Sequence, residues 1–377
     1  MRALIFISLM ALSYLTSLSF AFGEEMNWTD KVKMGVDFRY RHEMVDDKTK
    51  DFDRHRQRMR ARFSVVGEVD ENLKLHLRLA TGETGSAYTN FSDKTRTSGN
   101  ETFDDAGAND PFWVDLAFAE WKVTESNTIN LGKVNQPFYV AQKSQLIWDG
   151  DWTPEGLSYN YSCKCDSVSY LANFGAFWLS EGNSTNDTSD KGLIGGQIGA
   201  EFSMGEPSLK LAVGNYVFAN IKDSDVISSA NGNTTYTDPA SSTVYKYDYN
   251  LIEGTVELKA DVADMPSSVY VNYVQNSDPS DDNTGYIAGF GIGKVKNVGD
   301  WSFGYNYRKV EKDAVIASLQ DSDFADGKTD VKGHTVSVGY GIFKNSEILL
   351  TYFSAKRSVS TTETEYNRAH LDFSFKF

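Results

Sequence analysis

Residues 54–80 read RHRQRMRARFSVVGEVDENLKLHLRLA and alternate between polar and apolar with a period of two. In the first half Met59, Ala61, Phe63 and Val65 take one side, and Arg54, Arg56, Arg58, Arg60 and Arg62 take the other. Past a tight Asp70-Glu71-Asn72 turn, Leu73, Leu75, Leu77 and Leu79 oppose Lys74, His76 and Arg78. A helix would return its apolar residues every three or four positions, so the stretch reads as two strands joined by a turn. Upstream, Val32, Met34, Val36, Phe38 and Tyr40 alternate with Lys31, Lys33, Asp37, Arg39 and Arg41. At the far end, Leu371, Phe373, Phe375 and Phe377 oppose His370, Asp372, Ser374 and Lys376.

Followed along the chain, the pattern predicts about sixteen strands: 31–43, 53–69, 72–81, 111–124, 127–134, 155–163, 166–180, 192–204, 207–219, 245–262, 266–276, 284–297, 300–312, 331–343, 346–357 and 364–377. Their connections alternate short (70–72, 124–127, 163–166, 204–207, 262–266, 297–300, 343–346) with long (44–52, 82–110, 135–154, 181–191, 220–244, 277–283, 313–330, 358–363). Short periplasmic turns and long extracellular loops are the plan of a transmembrane barrel. Pro111, Pro137, Pro154, Pro207, Pro239, Pro266 and Pro279 all fall in loops, turns or strand starts, where a missing N–H breaks no ladder. The long connections 93–110, 183–191 and 223–243 are rich in Asp, Asn, Ser, Thr and Gly and read as solvated segments.

A membrane helix needs about 20 apolar residues, whereas a barrel strand needs only about 10 with every second one apolar. In lipid the backbone must satisfy itself, so the sheet has to close, strand 364–377 against strand 31–43. About sixteen strands leave an aqueous channel. The fold class is therefore all-β, a transmembrane antiparallel barrel, and its 20 Tyr and 23 Phe suit strand faces and interfacial girdles.

Arg2, the apolar run 3–20 and Ala21-Phe22-Gly23 predict a signal peptide over 1–23, leaving one domain, 24–377, for the outer membrane. A net charge of −15 argues against nucleic acid as a partner. Phe377, closing an alternating strand, resembles the signal read by the barrel-assembly machinery, a second partner beside outer-membrane lipid. Cys163 and Cys165 are too close for a disulfide framework; a local disulfide, a soft-metal site and two inconsequential turn thiols all remain open.

If Met59, Ala61 and Phe63 face lipid, the alternating arginines must face the lumen, because each charge on the lipid side would cost about 2–4 kcal/mol near the midplane. Arg39 and Arg41 precede them, Lys74, His76 and Arg78 follow, and Arg368 and His370 join across the seam. The result is a positive wall. Such a wall selects or orients anionic solutes, or else pairs with loop acids and holds the loops inward. Connection 135–154, NQPFYVAQKSQLIWDGDWTP, carries too much apolar surface for a freely solvated loop: Phe138, Tyr139, Leu146, Ile147, Trp148 and Trp152. Folded inward with Asp149 and Asp151 toward the arginines, and Glu155 just beyond, it would be a constriction loop.

Gly132-Lys133-Val134-Asn135-Gln136-Pro137-Phe138, then Leu146-Ile147-Trp148-Asp149-Gly150-Asp151 and Pro154-Glu155-Gly156-Leu157, resemble the "putative porin" family of outer-membrane proteins. The Arg-rich strand followed by Leu77-Arg78-Leu79-Ala80-Thr81-Gly82 resembles the same family, and the plan is more distantly similar to the phosphate-selective porins O and P. The resemblance implies a sixteen-stranded passive channel for small hydrophilic solutes or ions, often a homotrimer. It needs no cofactor or metal.

Two other classes compete. An outer-membrane enzyme would use His42 and His55 beside Asp46, Asp47, Asp51 and Asp53, although no Gly-Xaa-Ser-Xaa-Gly or His-Glu-Xaa-Xaa-His motif is present. An adhesin would use the acidic loops, which lack the spacing of a calcium-binding EF-hand.

Overall fold

The computed structural model describes residues 31–82, 99–103, 106–107, 110–182, 189–203 and 205–377. The expected signal peptide, 1–23, lies outside them, as do parts of the acidic connections 93–110 and 183–191. The long strands are β1 (Val32–Asp47), β2 (Arg54–Asp70), β3 (Leu73–Thr81), β4 (Phe112–Thr124), β5 (Asn127–Lys133), β6 (Glu155–Cys165), β7 (Val168–Ser180) and β8 (Lys191–Ser203), then β9 (Ser208–Ala219), β10 (Tyr249–Val262), β11 (Met265–Asn276), β12 (Thr284–Gly293), β13 (Trp301–Val310), β14 (Val331–Tyr340), β15 (Ser346–Arg357) and β16 (Thr364–Lys376). Each pairs antiparallel with its neighbours in sequence, and β1 pairs with β16 from Asp37↔Lys376 to Asp47↔Tyr366. Two backbone bonds between Val36 and Phe377 (3.1 and 2.9 Å) finish the seam. The sheet is a closed sixteen-stranded barrel.

The period of two decides what faces where. On β1 the odd residues Arg41, Glu43 and Asp47 are buried, while Met34, Val36 and Phe38 are exposed. The exposed phase continues around the barrel through Ile194, Ile198, Val213, Val256, Val269 and Leu350. An apolar belt of that extent is not viable in water. Facing acyl chains it needs no cover.

Departures from the sequence reading include three with a clear local cause. β1 runs on to Asp47, because Val45, Asp46 and Asp47 keep their pairing with β16. β12 stops at Gly293, whose φ of +75° leaves the strand region; just beyond, Asp300 accepts the N–H of Lys296 (3.0 Å) and Asn297 (2.7 Å) and stabilises a turn. The 220–248 connection is not merely solvated. Thr235–Thr237 pairs with Thr243–Tyr245, β-branched and aromatic residues on either side of a turn at Asp238-Pro239-Ala240-Ser241, and Ile221, Val244 and Tyr245 are buried.

The apolar core lies inside the barrel, where two connections fold inward. Segment 134–154 supplies Val134, Phe138, Leu146, Ile147, Trp148 and Trp152. Segment 311–330 supplies Ala314, Val315, Ile316, Leu319, Phe324 and Ala325. Gly132 and Gly156, directly paired at the root of the first segment, have φ of +127° and +150°. A Cβ there would strike the carbonyl oxygens of Ala117 and Ala176, so the chain's departure from the wall requires glycine.

Candidate functional site: the charged lumen

Register places the arginines together. Across β1 and β2, Arg41 faces Arg58, Arg39 faces Arg60, Asp37 faces Arg62 and Glu43 faces Arg56; across the seam, Arg41 faces Asp372 and Glu43 faces His370. Lumen-phase acids therefore interleave with the bases. Arg41 grips Asp372 through two bonds (2.6 and 2.9 Å) and reaches Asp323 (3.0 Å). Arg60 and Arg62 bond Asp37 at 2.9 and 3.2 Å. Arg39 bonds the amide of Asn100.

Glu43 is fully buried and central. Arg56 donates to it through Nε (2.7 Å), and Arg58 (3.5 Å), Arg368 (3.4 Å) and His370 (3.2 Å) surround it. An uncompensated carboxylate at that depth would be costly, and these guanidinium groups compensate it. Glu43, Asp323 and His370 each bring one ligand atom within 4.8 Å of the others, a spacing that would suit a divalent ion. Arg41, Arg56, Arg58 and Arg368 already balance those carboxylates, so the cluster does not suit a cation.

The remaining sequence-predicted residues are spread along the lumen. Arg78 pairs with Asp115 (2.5 Å). Lys74 sits near the turn end, 3.5 Å from Glu68. Arg54 is exposed at the loop end of β2. Arg368 also donates to the carbonyls of Ser322 (3.0 Å) and Asp323 (2.8 Å), tying segment 311–330 to the wall. Burial works against the charge of Asp323, but Arg41, His370 and Arg368 hold its pKa well below the ordinary carboxylate value.

Segment 134–154 docks on the opposite wall. Phe138 meets Tyr216 edge-on (4.7 Å), Trp148 stacks on Trp152 (4.7 Å) and meets Tyr216 (5.1 Å), and Trp152 meets Phe177 (5.9 Å). Phe138 fits because Gly195 leaves space: a Cβ there would come within 2.7 Å of the ring. Gln197 bonds both backbone groups of Tyr139 (2.7 and 3.0 Å), while Glu253 accepts from Tyr216 (2.6 Å) and Asn272 (2.8 Å).

The tip of the segment crosses to the arginines. Asp151 lies 3.5 Å from Arg60 and 3.9 Å from Arg62. Asp149 accepts the N–H of Asp151 (2.8 Å) and Ser322 (2.9 Å), and its own N–H bonds Leu319 O (2.6 Å), so the two inward segments clasp each other. Burial, with Asp151 and Asp321 nearby, pushes the Asp149 carboxyl up to about 7. Glu155 does not join them. It starts β6 on the strand phase opposite buried Ser158, is exposed, and pairs with Lys133 (2.9 Å).

Asp37, Glu43 and Asp372 were legible as counter-ions, since they share the period-two phase of the arginines. Asp321 and Asp323 carry no such periodicity. Their signal was the apolar run Ala314–Ala317 with Leu319 and Phe324, the same kind of run that marked 135–154. His42 and His55 do come together, with ring centroids 5.8 Å apart. They share the outward phase with Tyr40 and Gln57, and Asp46 pairs with Lys48 (2.9 Å) and Asp47 with Arg357 (2.5 Å) instead of orienting either ring.

A family model described as "Putative porin" matches residues 45–253 and 247–377. The chain belongs to this porin family. Among solved structures, the porin is similar to OprB of Pseudomonas putida, with 11% identity over 95% of this chain and 100% of that chain, and a TM-score of 0.59. It is also similar to OmpF of Salmonella typhi in complex with daunomycin (12%, 93% and 99%, TM-score 0.53). The trimer form of OmpT, an outer-membrane protein of Vibrio cholerae, matches at 14% over 92% and 100%, TM-score 0.52. At these identities the likeness establishes the fold. No curated protein matches the sequence. The porin is an outer-membrane β-barrel channel protein.

Proposed function

We propose that this porin passes small hydrophilic solutes by diffusion through an eyelet that the tip of segment 134–154 and the arginine wall border together. The observation that carries this reading is the approach of Asp151 to Arg60 and Arg62 while the aromatic half of the segment stays on the far wall. Acid on one side and base on the other set a transverse field, which orients polar solutes as they pass. Arg39, Arg41, Arg56, Arg58, Arg60, Arg62 and Arg368 give the field its basic side. Their buried acid partners keep the anion preference modest.

By the same reading the chain is exported through residues 1–23 and presents Phe377 to the assembly machinery. Phe377 is 96% exposed at the end of the closing strand. It assembles as a homotrimer, as the trimer form of Vibrio cholerae OmpT does. Liposome swelling tests the channel: purified protein should admit small neutral sugars at rates that fall with solute size. Vesicles that carry folded barrel yet admit no sugar would defeat the proposal.

A further inference from the structure

At the loop end of the lumen three connections meet around a pocket that the eyelet does not use. It is lined by Asn231 and Gly232, by Lys312, Lys328 and Asp330, and by Arg357, Ser358 and Thr361. Short bonds fix its walls. Thr329 N–H donates to Asn231 O (2.9 Å), Asn233 Nδ2 to Lys312 O (2.7 Å) and Val359 N–H to Asp330 O (3.2 Å).

The charges facing this pocket are unevenly satisfied. Arg357 is committed to Asp47 (2.5 Å) and stacks on Tyr366. Asp330 accepts the N–H and hydroxyl of Ser360, each at 2.9 Å, so both its oxygens are engaged. Lys312 and Lys328 are half-buried, and among the described residues neither has a carboxylate partner. In a chain of net charge −15, whose lumen arginines bond acids, two half-buried lysines that line one pocket without such a partner are an exception. Restricting ammonium groups without a counter-ion is unfavourable, and an oxyanion that accepts from both relieves it. The hydroxyl of Ser358 adds a neutral donor at the rim, where Thr361 Oγ1 donates to Ser358 O (3.4 Å).

We propose that this pocket binds the phosphate or carboxylate group of a small solute at the outer mouth of the lumen. Arg357 belongs to the lumen phase of β15, with buried Phe353 and Ala355, which turns the pocket toward the lumen and away from lipid headgroups. The inference does not rest on conduction.

The test is lysine footprinting of the full-length, detergent-solubilised barrel. Acylation of Lys312 and Lys328 is followed by mass spectrometry while inorganic phosphate replaces chloride at constant ionic strength, with exposed Lys50 as the internal control. Saturable protection of both lysines, about fivefold or more, with Lys50 unchanged, is the expected result. In Lys312→Gln the protection of Lys328 should weaken about tenfold in phosphate concentration, and Lys328→Gln should do the same to Lys312. Absent protection, equal protection of Lys50, or single variants that leave the partner's protection intact would overturn the site. Adding lipopolysaccharide to the micelle separates the two sources of phosphate. If it alone protects the lysines, the pocket serves a lipid and the solute assignment fails.

Discussion

The two walls of the lumen hold their inward segments by opposite means. On the β1–β2–β16 side the contacts are ionic: Arg41 and Arg368 hold Asp323, and Arg60 and Arg62 reach Asp151. On the β7–β10 side they are aromatic: Phe138, Trp148 and Trp152 lie on Phe177 and Tyr216. Apolar docking is indifferent to charge and gives a fixed position. Ionic docking is directional and places charge where solute passes. With the apolar half of the constriction anchored on the aromatic wall, the arginine wall sets the position of the acids at the tip.

Removing the centre of the ionic wall should have the largest effect. Glu43→Ala strands Arg56, Arg58 and Arg368, and breaking a buried pair from one side costs about 3–5 kcal/mol. The barrel should lose heat resistance in detergent, seen as an earlier shift from the compact to the unfolded band on heating. Trp148→Ala follows, at about 3–5 kcal/mol for a buried indole. Its cost falls on the docking of 134–154 and not on the closed sheet, so heat resistance should change little while single-channel conductance rises. If both variants change the same observable equally, the two walls are not distinct.

The strands were legible because side-chain phase is strict: Met59 cannot face lipid without sending Arg58 and Arg60 to the lumen. Loop 135–154 was legible from its indoles. What escaped was pairing. Glu43 continues the phase of Arg39 and Arg41, yet its full burial between three guanidinium groups depends on Arg368 and His370, more than 300 residues away and brought near only by closure. Glu155 misled because proximity to Asp151 in sequence ignores the change of direction at Gly156.

A smaller effect concerns pH. Asp149, with its pKa raised to about 7 by burial and neighbouring acids, favours the docked arrangement while protonated. That contribution is fully present below the ordinary carboxylate value and is lost as pH rises through 7. Conductance should therefore increase from about pH 4 to 7, as the clasp between the inward segments loosens, and level off above. In Asp149→Asn, which removes the titration, the trace should stay flat over that range.

The most direct measurement is planar-bilayer conductance under a KCl gradient, for the wild type and for Arg60→Ala with Arg62→Ala. Steady open channels with a modest anion preference, shifted toward cations in the double variant, are the predicted result. A barrel that inserts without conducting, or a reversal potential unmoved by the loss of both arginines, would contradict an eyelet bordered by Asp151 and the arginine wall.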